Sequence, residues 1–457
     1  MVISSASSPA PDELTEDVTQ LLEALIRNAC VNDGTPDSGQ EIRNADLLAD
    51  YLAGSELEFQ RFEPHPGRLS LLARLPGSDP DAPTLLLLGH TDVVPANAAD
   101  WERDPFAGEL VEGVVWGRGA VDMLSTTAAM AVATRYGARS ERPFRGNLLF
   151  LAVADEEAGG TLGAKWIVEH APHAVRAEYA LTESGGFQLP LPSTRPGPIL
   201  PVMVGEKGVH WCRLTVHGRA GHGSMPFGAD NATAKLAEAV RRLVEHAPAT
   251  NLGEAWLRLV AGADVPAGLA SALSNPAALE RFLATSPDPG LAGAIHALTH
   301  TTITPTVVRA GVKTNVIPDR AELDLDIRTL PGESSDEVIA RLRGALGDLS
   351  AAVDIEPIQV DPATQSPIET PLFGAIERVT RRLVPEARLV PMLMIGGTDG
   401  RFFRRVGATA YGAGLFSERI PFGDFARMAH GANERIDQES LRLSSEFWLG
   451  TVSDLLR

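Results

Sequence analysis

The sequence predicts an α/β protein in which a doubly wound, mostly parallel sheet is interrupted by a smaller α+β open-sandwich domain. Continuous apolar runs at residues 84–88 and 147–154 are typical of parallel strands buried on both faces, and stretches with helical spacing alternate with such runs. From about residue 205 the candidate strands alternate apolar and polar side chains, as in a sheet with one solvated face. The doubly wound pattern resumes after residue 362.

Composition limits the functions to consider. A chain of 457 residues exceeds one ordinary core, so the length predicts two or three domains. A hydrophobic content of 44% with 22% charged residues is typical of a globular protein, and no apolar run approaches the roughly 20 residues of a membrane span. The net charge of −19 argues against a nucleic-acid partner, since phosphate binding requires clustered Lys and Arg. We expect neither a nucleic-acid nor a membrane partner.

Two features favour a cytoplasmic location. The N-terminal stretch, residues 1–18, lacks the basic region and long apolar segment of an export signal, and it is interpreted as a frayed lead-in to the first helix. Cys30 and Cys212 are too few for a disulfide framework or a thiolate metal site. They are interpreted as packing residues in a reducing compartment.

The first part of the predicted sheet domain covers residues 1–204. Apolar spacing predicts two helices within residues 13–52 and a third that Ser125 caps and that runs to about residue 136. Strands are predicted at residues 69–75, 84–88, 114–116, 147–154 and 177–181. Because strands alternate with helices, we expect right-handed crossovers and ligands at the carboxyl ends of the strands.

A second domain is predicted at residues 205–362, with the order strand, helix, strand, strand, helix, strand. Its predicted elements are residues 210–216, 231–245, 306–310, 321–328, 334–346 and 352–359. A stretch at about residues 248–302 has weak helical periodicity and many turn residues, which indicates an insertion. Residues 363–457 then complete the first domain, with helices at 371–383 and 438–455 and a strand at 408–413.

His90 and Asp92 follow the strand at residues 84–88. Since they are two residues apart, their side chains leave the same face if the extended backbone persists. A metal-bound imidazole usually donates its other N–H to a carboxylate or carbonyl, so Asp92 is a natural partner for His90. The alternative is an Asp that ends a strand at a turn.

Asp155, Glu156 and Glu157 directly follow the eight-residue apolar strand at 147–154, which we expect in the centre of the sheet. On extended backbone adjacent side chains point in opposite directions, so two different roles are expected. One carboxylate can coordinate a metal, while the other, with a pKa raised by burial and neighbouring negative charge, accepts a proton from water. An acidic surface turn is the alternative.

Asp122, Glu183 and His430 complete a candidate pair of metal sites. Asp122 follows a glycine-containing loop, and its alternative role is to cap the next helix. The alternative for Glu183 is a solvated side chain, and the alternative for His430 is a hydrogen-bonded surface or core residue. Together, His90, Asp122 and Glu183 suit one ion, and Asp122, Glu157 and His430 suit a second. Oxygen and nitrogen ligands favour zinc, with cobalt or manganese also possible.

Nine ordered segments resemble those of the zinc-dependent metallopeptidase and deacylase family that includes acetylornithine deacetylase, succinyl-diaminopimelate desuccinylase, aminoacylase and glutamate carboxypeptidase. They span nearly the whole chain. The segments are GHTDVVP (89–95), GRGAVDM (117–123), DEEAGG (155–160), TESGG (182–186), GRAGHGSMP (218–226), KTNVIP (313–318), DIRTLPG (326–332), GGTDGRFF (396–403) and MAHGANERI (428–436).

The resemblance implies roles for these residues. Asp122 would bridge two zinc ions, His90 with Glu183 and Glu157 with His430 would complete the ligand sets, and Glu156 would be the general base. His222 resembles an imidazole that crosses a homodimer interface, formed by the lid (residues 205–362), to stabilise the oxyanion. Residues that resemble binders of a substrate carboxylate are Asn315, Arg328, Gly396, Gly397 and Thr398.

Alternatives remain for these substrate binders. The planar fork of Arg328 suits a carboxylate, but the same side chain also suits a structural salt bridge. The glycine pair before Thr398 also suits a plain turn. The chain departs from the family at Leu124, where a Lys is common, which puts in doubt any substrate copied from close relatives.

The sequence thus predicts a dinuclear zinc hydrolase that cleaves an amide bond in an N-acyl amino acid or a short peptide with a free carboxylate. A serine hydrolase is disfavoured, because Gly221–Ser224 does not form the Gly-x-Ser-x-Gly elbow of that class. The alternative is an inactive homologue that binds metal or carboxylates.

Overall fold

The structure is a computed structural model, and it describes residues 10–457. The first part of the predicted N-terminal lead-in, residues 1–9, lies outside the described residues. Within residues 10–457, no helix combines the length and the apolar character that crossing a bilayer requires.

The secondary structure alternates strands and helices over most of the chain. In chain order the strands are β1 (Glu58–His65), β2 (Arg68–Leu75), β3 (Thr84–His90), β4 (Glu109–Val111), β5 (Val114–Trp116), β6 (Asn147–Val153), β7 (Tyr179–Thr182), β8 (Ile199–Glu206), β9 (Gly208–His217), β10 (Gly221–His222), β11 (Thr302–Ala310), β12 (Val316–Ile317), β13 (Arg320–Thr329), β14 (Val353–Asp361), β15 (Thr364–Gln365), β16 (Arg388–Met394), β17 (Thr409–Gly412) and β18 (Arg435–Asp437).

The helices are α1 (Pro11–Arg27), α2 (Ile42–Leu52), α3 (Leu124–Ala138), α4 (Ala164–His170), α5 (Ala232–Glu245), α6 (Glu254–Gly262), α7 (Ala267–Leu273), α8 (Pro276–Thr285), α9 (Pro289–Thr299), α10 (Ser335–Leu346), α11 (Pro371–Leu383), α12 (Gly400–Arg405), α13 (Phe422–Met428) and α14 (Gln438–Leu456). Short 3₁₀ turns lie at Ala98–Asp100, Glu156–Ala158 and Gly347–Ala352. The predicted cap at Ser125 is wrong, because α3 begins at Leu124 and Ser125 lies inside its first turn.

A nine-stranded sheet forms the centre of the molecule. Its order is β1-β2-β6-β3-β7-β17-β8-β15, with β16 paired to β8. The central strands β6, β3, β7 and β17 run parallel, and antiparallel pairs lie toward the two edges. The predicted α/β class with a mostly parallel sheet is confirmed.

Both faces of this sheet are covered by helices. In β3, Leu85 and Leu87 pack toward α1, α3 and α14, whereas Leu86 and Leu88 pack toward α4 and α12. This alternation follows from the two-residue period of a strand. Continuous apolar runs therefore indicate strands buried on both sides, as the sequence predicted. His90 ends β3 beside Val153 of the parallel strand β6, so the side chains that follow both strands meet at one edge.

A separate four-stranded antiparallel sheet has the order β11-β13-β9-β14. Alternate residues of β9 and β13 are buried against α5 and α10, and the residues between them are more exposed. This pattern matches the predicted order of strands and helices within the lid. The two-residue strands β10 and β12 pair in a small ribbon.

The stretch predicted as an irregular insertion at about residues 248–302 is largely helical, because it contains α6 to α9. Its apolar side chains form one cluster with Ile199 of β8 and Val390 of β16. The insertion therefore packs against the nine-stranded sheet. Burial against the edge of that sheet, rather than strong amphipathic periodicity, stabilises these short helices.

Candidate metal centre

Five predicted ligand side chains meet beside the carboxyl edge of the large sheet. His90 ends β3, Glu157 lies in the 3₁₀ turn after β6, and Glu183 follows β7 directly. Asp122 lies between β5 and α3, and His430 lies between α13 and β18. Strand β18 pairs with β5, which brings the His430 loop beside the Asp122 loop.

The first ligand set consists of His90, Asp122 and Glu183. The Nε2 atom of His90 lies 3.2 Å from Oδ1 of Asp122 and 4.0 Å from Oε1 of Glu183. The other ring nitrogen, Nδ1, lies 2.9 Å from the backbone carbonyl oxygen of Asp92. Because that carbonyl only accepts, it places the proton of the neutral ring on Nδ1, and Nε2 of the neutral ring can then act as a ligand.

The second set shares Asp122 with the first. The Nε2 atom of His430 lies 3.3 Å from Oδ2 of Asp122 and 3.0 Å from Oε2 of Glu157. In each set the potential ligand atoms lie within 4.8 Å of one another. Each oxygen of Asp122 thus faces a different imidazole, which is the arrangement expected of a bridging carboxylate.

The electrostatics show a strong excess of negative charge at this position. Hydrogen bonds with Asp122 and Glu157 raise the pKa of His430 to about 10. Although burial acts in the opposite direction, hydrogen bonds with Asp122 and Asp92 raise the pKa of His90 well above its usual value. Burial, followed by the charge of Asp122, raises the pKa of Glu183. The carboxylates therefore favour cations nearby, whether protons or metal ions.

The residues present fit divalent metal ions. The donor atoms are carboxylate oxygens and imidazole nitrogens, the set that zinc, cobalt and manganese accept. Among the described residues, the buried Oε1 atom of Glu157 has no hydrogen-bond partner. An unpaired buried carboxylate oxygen costs free energy unless a cation or a donor satisfies it.

Asp92 supports both glutamates as well as His90. Its Oδ1 accepts a hydrogen bond from the backbone N–H of Glu156 at 3.3 Å, and its Oδ2 accepts one from that of Glu157 at 3.1 Å. The carboxylate oxygen Oδ1 lies 3.4 Å from Nδ1 of His90, farther than the backbone carbonyl. Asp92 thus holds the glutamate turn with its carboxylate and His90 mainly with its backbone carbonyl, so it is a partner of His90, as the sequence predicted.

Glu156 does not lie on extended backbone. Asp155 has a φ of 70°, and Glu156 and Glu157 occupy the 3₁₀ turn that follows. The premise that extended backbone separates the two side chains is therefore wrong, since the chain leaves the strand at Asp155. Burial, followed by the charge of Glu183, raises the pKa of Glu156 well above its usual value.

Comparison with known proteins places this geometry in a family. Residues 86–454 match the model of peptidase family M20/M25/M40. The chain belongs to this family. The resemblance predicted from the nine segments is confirmed. Membership makes the protein a hydrolase of the deacylase, carboxypeptidase or dipeptidase type.

Individual relatives resemble most of the chain. Human aminoacylase-1 is 28% identical over 94% of this chain and 93% of its own length. The N-fatty-acyl-amino acid synthase/hydrolase PM20D1 of Xenopus tropicalis is 28% identical over 85% of this chain and 75% of its own length. The crystal structure of the M20 metallo-carboxypeptidase Sso-CP2 of Sulfolobus solfataricus has a TM-score of 0.72 at 18% identity, covering 96% of this chain and 99% of that one.

Glu434 is a supporting residue of this M20 site to which the sequence analysis assigned no role. It is fully buried, and its Oε1 accepts hydrogen bonds from the backbone N–H groups of Val121 at 2.6 Å and Asp122 at 2.8 Å. Its Oε2 accepts from the backbone N–H of Gly119 and from Arg118, both at 2.9 Å. Four donors on one carboxylate hold the loop that carries Asp122.

A second buried network supports the glutamate turn. Arg68 donates to both carboxylate oxygens of Glu41 and, at 2.8 Å, to Oδ1 of Asp155. The other oxygen of Asp155 accepts from the backbone N–H of Leu162, also at 2.8 Å. These bonds hold Asp155 in its left-handed conformation. Single polar residues such as Glu41 and Arg68 carry little sequence signal for a role in supporting the glutamate turn, because the residues that they contact lie far away along the chain.

The predicted site residues of the lid lie in two places: His222 and Asn315 lie at a small ribbon, and Arg328 lies in β13. His222 in β10 pairs in register with Val316 of β12, and the backbone N–H of Gly223 donates to the carbonyl of Asn315 at 2.8 Å. His222 and Asn315 therefore share the β10–β12 ribbon. The exposed ring of His222 is hydrogen-bonded to Ser224 at 2.7 Å.

Arg328 is already paired in this structure. Its guanidinium donates to both oxygens of Asp326, at 2.7 and 3.1 Å. The salt-bridge alternative therefore describes its present state. A substrate carboxylate would have to compete with Asp326 for the same fork.

The Gly396, Gly397 and Thr398 turn lies against a carboxylate of the protein. The backbone N–H of Thr398 donates to Glu206, and its hydroxyl accepts from the N–H of Gly400 at 3.3 Å. Thr398 is therefore engaged within the turn. The next residue, Asp399, is buried, and among the described residues neither of its carboxylate oxygens has a hydrogen-bond partner.

Proposed function

We propose that this protein is a dinuclear zinc hydrolase that cleaves the amide bond of an N-acyl amino acid or a short peptide with a free carboxylate. The observation that carries the proposal is the sharing of Asp122 between two ligand sets, His90 with Glu183 and His430 with Glu157. Family membership supports amide hydrolysis in general.

The same five side chains would hold the ions. Carboxylate and imidazole donors favour zinc, and cobalt or manganese would also fit them. When bound, divalent ions polarise the substrate carbonyl and lower the pKa of water.

The protein groups around the ligands would move the protons. Glu156 accepts a proton from the attacking water and later delivers it to the departing amine nitrogen, so it begins and ends the cycle as a carboxylate. Burial and the charge of Glu183 raise the pKa of Glu156, which makes it a stronger base toward the attacking water than an ordinary glutamate. Asp92 fixes the backbone of this glutamate through the hydrogen bond to Oδ1.

Recognition of a substrate carboxylate is assigned to Arg328 and Asn315, with Gly396, Gly397 and Thr398. Support comes from the planar fork of Arg328 and from relatives whose names describe hydrolysis of acylated amino acids. Because Arg328 is paired with Asp326, binding requires an exchange of partners.

We also propose that the lid, residues 205–362, mediates a homodimer in which His222 serves the site of the partner subunit. Strand β11 is an edge strand of its sheet, and it exposes Val307 and Val308. The neighbouring loops expose more apolar surface, with Met225, Phe227 and Val312 at 71%, 104% and 96% exposure. An unpaired edge with apolar side chains favours association with a second copy.

We also propose a cytoplasmic location. A reducing compartment agrees with two buried free cysteines, Cys30 and Cys212.

Subunit complementation tests the shared site. Mixed dimers of His222→Ala and Glu156→Ala chains contain one site with an intact Glu156 and an intact His222 from the other chain. Activity should return on mixing two inactive variants if His222 acts across the interface. No recovery, with dimers verified by sedimentation, would show that His222 acts within its own chain or not at all.

Metal analysis combined with a substrate panel tests the function. We expect about two zinc ions per chain and hydrolysis of at least one class among N-acetyl, N-acyl and N-succinyl amino acids and dipeptides. Binding of metal and substrate without turnover would instead support an inactive binding homologue.

A further inference from the structure

An apolar cavity of about 250 Å³ adjoins the metal centre. Its lining residues include Asp122 and Glu183 as well as three methionines from two paired strands, Met203, Met392 and Met394. A cavity of about 150 Å³ already accommodates benzene, so this one has room for a larger apolar group. Flexible thioether side chains adapt to irregular apolar shapes.

Helix α13 supplies a second apolar wall next to the ligand His430. Phe422, Phe425 and Ala426 lie on one face of α13, Ala429 directly follows the helix, and all four line the cavity. Phe187 stacks against this wall, with ring centroids 4.9 Å from Phe422 and 5.4 Å from Phe425. The apolar face of α13 is thus turned toward an open space rather than into a packed core.

The position of the cavity relative to the lid indicates how a substrate would be oriented in the site. In the described chain, every lining residue comes from residues 121–203 or 392–429, and none comes from the lid. Of the proposed carboxylate binders, Asn315 and Arg328 lie in the lid, whereas Gly396, Gly397 and Thr398 follow the lining residue Ile395 without lining the cavity themselves. An amide with its carbonyl at Asp122 and its carboxylate toward the lid therefore directs its acyl group into the cavity.

A larger cleft of about 850 Å³ shares Phe416 and Phe422 with this cavity but contains none of the five ligand residues. Its volume alone does not make it the reaction site. The smaller cavity is the one whose lining includes two candidate metal ligands, Asp122 and Glu183.

We propose that this cavity binds the acyl chain of the substrate, so that the enzyme selects N-acyl amino acids with long or bulky apolar acyl groups over acetyl and succinyl forms. The inference rests on the proposed amide hydrolysis. Each methylene group that enters an apolar pocket strengthens binding by about fourfold, so a chain of several carbons is strongly preferred once it fits.

Two substrate series with the zinc-loaded protein test the proposal. One varies the acyl group on alanine from acetyl to octanoyl, and the other varies the amino acid of N-acetyl substrates from alanine to phenylalanine. We expect kcat/KM to rise by about 100-fold or more in the first series and by less than about tenfold in the second. A rise only in the second series, or in neither, would overturn the assignment of the acyl chain.

Two variants connect the preference to the cavity. Ala426→Phe fills it from an exposed position of α13, and Met392→Gln makes its wall polar at similar volume. Each should lower the octanoyl-to-acetyl ratio of kcat/KM by about tenfold or more. The control is Phe59→Ala on the edge strand β1, which should leave the ratio unchanged. An unchanged ratio in both cavity variants, with native unfolding temperatures, would refute the proposal.

Binding measurements distinguish a failure of this inference from a failure of the proposed function. Calorimetry with the Glu156→Ala variant measures the affinities of N-octanoyl-alanine and N-acetyl-alanine without turnover. Tighter binding of the octanoyl compound by this variant, together with no hydrolysis of either compound by the zinc-loaded parent protein, would retain the cavity and reject the hydrolase. Hydrolysis of both compounds by the parent protein at equal kcat/KM, with equal affinities in the variant, would retain the hydrolase and reject the cavity as the acyl site.

Discussion

The carboxylate of Glu434 accepts a hydrogen bond from the backbone N–H of Asp122 at 2.8 Å. The two residues are 312 positions apart in the chain. This bond fixes the loop that carries the shared ligand to the loop that carries His430. The geometry of the metal centre therefore depends on a residue that coordinates no metal.

Replacing Glu434 should loosen the centre. Glu434→Gln keeps the volume but turns one acceptor into a donor that faces backbone N–H groups. We expect the free energy of unfolding to fall by about 1–3 kcal/mol and metal affinity to fall by about 10- to 100-fold. Denaturant unfolding and competition with a chelator measure the two effects.

Glu439→Gln is the matched control, because Glu439 pairs with Arg419 at 2.9 Å on the surface, where its side chain is 42% exposed. Exposed pairs contribute only about 0–1 kcal/mol. Equal losses in the two variants would contradict the role of Glu434.

Glu156 and Glu157 should separate catalysis from metal binding. Glu156→Ala removes the proposed proton carrier and should abolish turnover while the zinc content stays near that of the parent protein. Glu157→Ala removes a ligand and should lower the zinc content by about one ion per chain. Metal analysis beside rate measurements decides the matter, and residual turnover in Glu156→Ala would exclude its assigned role.

Metal binding should release protons. At pH 7 we expect the metal-free protein to hold His430 protonated, because hydrogen bonds with Asp122 and Glu157 raise its pKa to about 10. Hydrogen bonds with Asp122 and Asp92 also raise the pKa of His90, although burial opposes them. A metal binds only neutral imidazole, so loading should release at least the proton of His430, and zinc affinity should rise with pH.

Zinc titration calorimetry in buffers of different ionisation enthalpy counts these protons. His217→Ala is the control, since His217 is an exposed histidine that pairs with Asp354 outside the centre. The same proton count is expected for it as for the parent. Zinc binding without proton release at pH 7 would be incompatible with the centre described above.

Arg328 should act on substrates that carry a carboxylate. Arg328→Ala should raise KM for such substrates by about tenfold or more and leave amidated analogues unaffected, because only the charged end uses the guanidinium. Asp326→Asn should lower KM, since it frees the fork that Asp326 now holds at 2.7 Å. Steady-state kinetics on paired acid and amide substrates measure both effects.

The same strand β13 provides a control in Arg320, which pairs with Glu322 two residues away at 2.7 Å, as Arg328 pairs with Asp326. Arg320→Ala should change neither class of substrate. A similar rise in KM for acid and amide substrates in Arg328→Ala would disprove carboxylate recognition.

Several elements could be predicted because their signal is local. The runs that form β3 and β6 are continuous and apolar, and the helices α1, α5, α10 and α11 have clear amphipathic spacing. Strand β16 could not be predicted in this way, since Pro391 interrupts its pattern. The structure tolerates this proline because β16 pairs only with β8 and therefore needs fewer backbone donors.

The sequence by itself determined the family, the α/β class and the five acid and imidazole residues that meet at the metal centre. His90, Glu157 and Glu183 follow parallel strands that end at one edge, so these three side chains converge whatever the details of packing. Asp122 and His430 are brought beside them by the pairing of β5 with β18. Only the tertiary structure decided how Glu434 and Arg68 hold the ligand loops, where the insertion packs, and which side chains enclose the apolar cavity. Those features depend on contacts between distant segments, which a local pattern of residues does not encode.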